Sequence, residues 1–264
     1  MSFVKINVKP DTLDDENRKF AQRSLRQPLF LNSVPKSGSH LLRNIIRMFV
    51  PVEDQYQAEF IQHHFLQRHL AAFDRTRNRL SWGHLFFMEP SRAALAGVRH
   101  IVLVRDPYDW VLARARFVLS NEFNAPGLEH LKAPDSSIDA ILDLMIEGTR
   151  PQLAPLDVTY HFNAVAWLAD GAHLLRYEEL VRAIGDLRSE AAEAYFNAMF
   201  QACGIVRPDD WRDRVRIGSD RKQSGTAREN LTGAAARIPS ELPEKHRQMV
   251  DSIVPGLRST LGYE

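Results

Sequence analysis

The stretch LFLNSVPKSGSHLLRNIIRMF, residues 29–49, decides the fold. Leu29 to Val34 form a short apolar run of the kind that makes a buried strand. Pro35 and Gly38 break it. Leu41, Leu42, Ile45, Ile46 and Phe49 then recur at helical spacing, with Arg43, Asn44 and Arg47 on the other face. The unit is strand, tight turn, helix. Its turn, Pro35-Lys36-Ser37-Gly38-Ser39-His40, suits an anion. Free N–H groups at a helix start point outward, the helix dipole adds positive potential, and Gly38 admits close approach of the main chain. Lys36 adds a full charge, and Ser37 and Ser39 add hydroxyl donors. Taken alone, the same six residues read equally well as a strand-to-helix turn with a solvated lysine. They are not a Walker A loop, which needs G-x-x-x-x-G-K-[ST].

Working outward, HIVLV at 100–104 is a β-branched-rich run typical of a strand covered on both faces. It ends in Arg105-Asp106-Pro107, where Asp106 suits an N-cap and Pro107 the first helical position, so a helix is expected to about Ser120. Further strands are expected over Leu80–Phe87 and Ala172–Tyr177, with helices around Phe162–Leu168 and Ser189–Ala202. The Pro-, Gly- and Asn-rich residues 122–136 read as a loop at a site mouth. Strands alternating with helices predict an α/β fold, a single domain over 27–264 with a mostly parallel sheet flanked by helices. Residues 1–26 read as a polar N-terminal leader, loosely attached or a surface helix.

Composition narrows the function classes. Among 264 residues, 34 Lys and Arg face 33 acidic residues, so global charge argues for neither nucleic acid nor a membrane surface. No stretch approaches the roughly 20 apolar residues of a membrane span. The N-terminus lacks the apolar run of a signal peptide. Cys203 is the only cysteine, which excludes an intrachain disulfide and a cysteine-based zinc site. The expectation is a cytoplasmic protein of undefined oligomeric state.

Ligands of open α/β sheets bind at the carboxyl ends of the strands, where both turns fall. Arg105 there either forks onto a phosphate or pairs with Asp106 or Asp109 at the helix start. Together the two turns resemble the PAPS-dependent sulfotransferases, whose folds are P-loop NTPase-like. PKSGSHLL resembles that family's 5′-phosphosulfate loop, and IVLVRDPYDWVLA its 3′-phosphate motif. LLRYEEL at 174–180 is similar to its late strand, with Trp167 upstream. Arg221-Lys222-Gln223-Ser224-Gly225, followed by Arg228, resembles a degenerate form of its last loop. The resemblance covers about residues 28–235.

The resemblance implies sulfuryl transfer from PAPS to a hydroxyl or amine of a small-molecule acceptor, with no metal required. Lys36 would bind the 5′-phosphate and stabilise the leaving oxygen, cradled by the N–H groups of Ser37, Gly38, Ser39, His40 and Leu41. Arg105 and position 113 would hold the 3′-phosphate, Tyr177 would touch the adenine, and Arg221 and Lys222 would close over the phosphate. The chain departs from the family pattern: Ala113 stands for a serine, Leu41 for a tryptophan and His40 for a threonine. Arg114 or Arg116 is expected to supply the missing charge. The family's base is a histidine ending the strand after the first loop, which points to His84, with Gly83 leaving room for substrate and Trp82, Phe86 and Phe87 walling an acceptor pocket.

Two other function classes remain open on the sequence. A P-loop small-molecule kinase would need a magnesium site, yet Arg105 stands at a strand end where such an enzyme would carry its acid. A catalytically silent nucleotide-binding relative is compatible with Ala113 and the degenerate last loop. His63, His64 and His69 read as surface residues, Arg75–Arg79 as a charged loop, and Glu178 and Glu179 as a solvated turn, with Glu178 the reserve candidate for a base.

Overall fold

Leu29–Ser33 becomes the centre of a sheet because all five of its residues are buried from both sides. The computed structural model describes residues 5–6, 10–57, 60–121, 123–149, 152–224 and 233–264. Its main sheet has five strands: β1 (Leu29–Ser33), β2 (Ile61–Gln62), β3 (Leu80–His84), β4 (Arg99–Val104) and β5 (His173–Arg176). They run in the order β2-β3-β1-β4-β5, all parallel. Leu29 lies opposite Leu80 on one side and Arg99 on the other. A separate two-stranded antiparallel pair joins Lys5–Ile6 to Phe123–Asn124.

The alternation of side chains sorts the core into two layers. Phe30, Val102 and Val104 face α3 (Pro107–Leu119) and α4 (Ile138–Glu147) on one side, with the helical segment 156–169 beside them. Leu29, Leu31, Ile101 and Leu103 face α1 (Ser39–Arg47), α5 (Tyr177–Gly185), α6 (Glu190–Cys203) and α7 (Trp211–Ser219). The result is three layers, helix–sheet–helix, as the strand–helix alternation requires. Helix α3 starts where expected: the Asp106 side chain accepts from the Tyr108 N–H at 2.9 Å and Pro107 fills the first turn.

Several expectations are adjusted. β3 ends at His84 rather than running to Phe87. The helix near Phe162 extends over 156–169, with a widened π turn at His161–Val165. The 122–136 segment carries the short strand Phe123–Asn124 and a 3₁₀ turn at Glu129–Lys132. The described leader segment 10–26 is anchored to the domain. It forms a short helix, Leu13–Asn17, whose buried Asn17 amide donates to the Val50 carbonyl oxygen at 3.0 Å. Buried Arg47 of α1 pairs with Asp11 at 2.8 Å and Asp14 at 2.6 Å. Among the described residues, no helix is long and apolar enough to cross a membrane.

Candidate functional site

The Lys36 turn is built under strain and held from below. Lys36 adopts φ +70° and Gly38 φ +94°, both left-handed. A lysine there costs roughly 1–2 kcal/mol against the ordinary conformation. The Ser37 N–H donates back to the Val34 carbonyl oxygen at 3.1 Å, and the Trp110 indole N–H donates to Pro35 from α3. These bonds turn the N–H groups that open α1 toward the carboxyl edge of the sheet, where they have no acceptor within the helix. Ser37 is fully buried, and its Oγ has no hydrogen-bond partner among the described residues. The Lys36 ammonium sits 2.9 Å above the Phe117 ring centroid, a cation–π contact from α3. His40 packs edge-on to Trp82 at 5.0 Å, and Leu41 is half-buried against the core beneath α1.

Arg105 follows β4 at the adjacent strand end, and Tyr177 joins the two turns. A Cβ on Gly38 would lie 2.5 Å from the Tyr177 ring, so only glycine lets that ring settle on the loop. The Arg105 guanidinium lies over the same ring, 4.6 Å from the Tyr177 centroid. Tyr160 donates its hydroxyl to the Arg105 carbonyl oxygen at 2.8 Å. Arg105 pairs with neither Asp106 nor Asp109: Asp106 is taken by Arg258 at 2.9 Å. The Arg105 Nε is buried without a partner among the described residues. Two orphaned buried groups, Ser37 Oγ and Arg105 Nε, fit an anionic nucleotide across these turns.

His84 sits at the end of β3 with its proton assigned by its neighbours. Its Nδ1 lies 2.9 Å from the Ser33 carbonyl oxygen and 3.1 Å from Ser33 Oγ, which itself bonds Ser39 Oγ at 2.7 Å. A carbonyl only accepts, so Nδ1 carries the hydrogen and Nε2 is left as the acceptor. The strand end is clamped: the buried Asn32 side chain accepts from the Leu85 N–H at 2.9 Å and donates to its carbonyl oxygen at 3.1 Å. His84 is half-buried. Desolvation pushes its pKa down to about 4, the Ser33 bond opposing and the Lys36 charge assisting. His84 is neutral at physiological pH and able to accept a proton.

Phe60 packs on His84 at 5.4 Å and on Trp82 at 5.8 Å; Phe86 stacks on His63 at 4.7 Å and on Phe162 at 5.7 Å. This aromatic wall adjoins His84. It includes His63, expected at the surface, and loses Phe87, which turns into the core against Trp167 at 4.9 Å. Gly83 is also corrected. A Cβ there would lie 2.1 Å from the Ile61 carbonyl oxygen, so its smallness serves the pairing of β2 with β3 rather than a substrate.

Position 113 lies on the partly exposed stripe of α3 formed by Asp109, Ala113 and Arg116, residues about one turn apart. Arg114 is on the opposite side and is not the compensating charge. It is buried, donating to the carbonyl oxygens of Met145 and Ala154 at 2.7 Å each. Desolvation followed by the Arg105 charge lowers the pKa of Arg116, which places the two guanidiniums within electrostatic reach. Arg221 and Lys222 lie in an exposed 3₁₀ turn after α7, tied to α1 by the Asn44 amide donating to the Gln223 carbonyl oxygen at 3.0 Å. Gly225 and Arg228 lie outside the described residues. Glu178 is not a solvated turn residue: it accepts from the Asp106 N–H at 3.0 Å and from the Tyr263 hydroxyl at 2.7 Å. With both oxygens engaged, it is a poor base. Sequence reasoning passed over Ser33, Tyr160, Arg258 and Tyr263, whose partners are all distant in the chain.

A cavity of about 690 Å³ opens at the other end of the sheet, lined by Arg92, Arg99, Asp170 and His173 among others. Its arginines are already engaged, Arg92 with Asp170 at 2.9 Å and Arg99 with the Ala202 carbonyl oxygen at 3.2 Å. Lys36, His84 and Arg105 gather at the carboxyl end instead, the usual ligand end of an open α/β sheet. Among the described residues, no group of three or more His, Cys, Asp or Glu could hold a metal ion.

No family model matches the sequence, and no curated protein matches it. Among solved structures, the chain is similar to that of mouse sulfotransferase SULT7A1 complexed with PAP, at 14% identity. That likeness covers 93% of this chain and 88% of the other, with a TM-score of 0.57. What it establishes is the fold: one domain with a mostly parallel five-stranded sheet flanked by helices, of the P-loop NTPase-like kind.

Proposed function

We propose that this protein transfers a sulfuryl group from PAPS to a hydroxyl or amine of a small-molecule acceptor in the cytoplasm, without a metal. The observation that carries the reading is the joining of the Lys36 and Arg105 turns by Tyr177, beside a neutral His84 whose Nε2 is free to accept. The donor supplies an activated S–O bond to its 5′-phosphate; an acceptor O–S or N–S bond forms as that bond breaks. His84 Nε2 takes the acceptor proton. Lys36 leaves the Phe117 ring and holds the charge that develops on the leaving oxygen, while the N–H groups of Gly38 to Leu41 hold the 5′-phosphate; the Ser37 N–H, expected among them, is spent on the Val34 carbonyl oxygen. Arg105 holds the 3′-phosphate, with Arg116 supplying charge where Ala113 offers no hydroxyl. Arg221 and Lys222 close over the same phosphate from the α7 side. The aromatic wall around Phe60, Trp82 and Phe86 excludes water and seats the acceptor.

Incubation with radiolabelled PAPS and a panel of phenols, alcohols and amines tests the reading. Label is expected in an organic product, and Lys36→Ala is expected to abolish it. Label that stays on the donor with every acceptor, or product formation that Lys36→Ala leaves intact, contradicts it.

A further inference from the structure

Two carboxylates flank Arg105, and residues far along the chain silence both. Asp106 receives Arg258, with Nη2 2.9 Å from Oδ2 and Nε 3.3 Å from each carboxylate oxygen. Glu178 receives the Tyr263 hydroxyl at 2.7 Å on one oxygen and the Asp106 N–H at 3.0 Å on the other. Arg258 and Tyr263 act as one unit, since the Tyr263 N–H donates to the Arg258 carbonyl oxygen at 2.8 Å. The unit is itself held. Arg258 stacks on the Tyr108 ring at 4.3 Å, the Tyr108 hydroxyl donates to Asp251 at 2.7 Å, and Arg176 donates to the Gly262 carbonyl oxygen at 2.6 Å.

The electrostatic consequence follows from adjacency. A bare Asp106 carboxylate would compete for the neighbouring guanidinium and repel any dianion placed there. Paired with Arg258, it does neither, and Arg105 keeps its charge and its unpartnered Nε for a ligand. We propose that Arg258 and Tyr263 are positioning residues of the anion site, which neutralise Asp106 and hold Glu178 so that Arg105 recognises a nucleotide 3′-phosphate. The proposal rests on the assignment of Arg105 to that phosphate.

Calorimetry on the full chain tests it with two probes, adenosine 3′,5′-bisphosphate and AMP. Arg258→Met should weaken the bisphosphate roughly tenfold, the scale of a charge-assisted contact, and leave AMP unchanged. Adding Asp106→Asn should restore most of the loss, because asparagine keeps the helix cap and removes the charge. Tyr263→Phe, one oxygen smaller, should give a lesser loss in the same direction, and it carries the test if Arg258→Met fails to fold. A wild-type protein that does not prefer the bisphosphate overturns the assignment of Arg105, and this proposal with it. A preference that persists unchanged in both variants overturns the proposal alone. So does equal weakening of both probes with no rescue by Asp106→Asn, which would mark mere structural support.

Discussion

His84 illustrates what a single residue discloses and what it withholds. Its place at the end of β3 follows from the sequence pattern, but its role depends on Ser33, 51 positions away, which fixes the proton on Nδ1. No local signal encodes that bond. His84→Asn should leave bisphosphate affinity unchanged by calorimetry while turnover falls about 10²-fold or more, the usual scale for a lost base. A protonated ring cannot accept a proton, so kcat/KM should fall as pH drops through about 4, not through the ordinary histidine value of 6.5. A limb near 6.5 that persists in His84→Asn would place the base elsewhere. The two arginines of α3 should also part company. Arg114→Ala strands the buried Met145 carbonyl oxygen and the partly buried Ala154 one, and should cost about 2–4 kcal/mol in urea melts. Arg116→Ala loses a single bond, to the Pro239 carbonyl oxygen, so it should cost less, about 1 kcal/mol, and should also weaken the bisphosphate.

At the scale of elements, the strand–turn–helix units around Lys36 and Arg105 were legible because periodicity, Pro107 and the Asp106 cap all agree locally. β2 was not, since two residues carry no period and Ile61–Gln62 is a strand only because β3 lies beside it. The same pairing explains why Gly83 was read for the wrong purpose: the neighbour that demands its smallness is Ile61, not a ligand. Gly83→Ala should therefore damage the sheet edge. A Cβ 2.1 Å from a backbone oxygen forces β2 and β3 apart, and overpacking of this kind costs about 1–3 kcal/mol. The midpoint of urea unfolding should fall accordingly; an unchanged midpoint would mean that the edge yields freely. Helix α3 was placed correctly, but which of its arginines faces the site required knowing which side the sheet buries.

For the whole molecule, the resemblance carried by two short turns led to the three-layer fold that the structure and its likeness to a sulfotransferase show. It did not reveal the long-range ties, Arg47 to the leader or Arg258 to Asp106, because charged residues in surface-like patterns give no hint of their partners. Burial also makes stability depend on pH. Desolvation lowers His40 and His100 to about 3 and His84 to about 4, all below the unfolded value of 6.5. The unfolded chain then takes up protons first, so stability is full above 6.5 and declines as pH falls from there toward 3–4. Urea midpoints should drop between pH 7 and pH 5, and His100→Phe should flatten the slope; equal midpoints at the two values would contradict this burial.

The central claim is that the joined Lys36 and Arg105 turns select a nucleotide bearing phosphates at both ends of its ribose. Calorimetry of the wild-type chain with adenosine 3′,5′-bisphosphate and AMP tests it most directly. The bisphosphate should bind more tightly by about 1.5–3 kcal/mol, the worth of a charge-assisted contact, and Arg105→Ala should remove the difference. Equal affinity for the two nucleotides would contradict it.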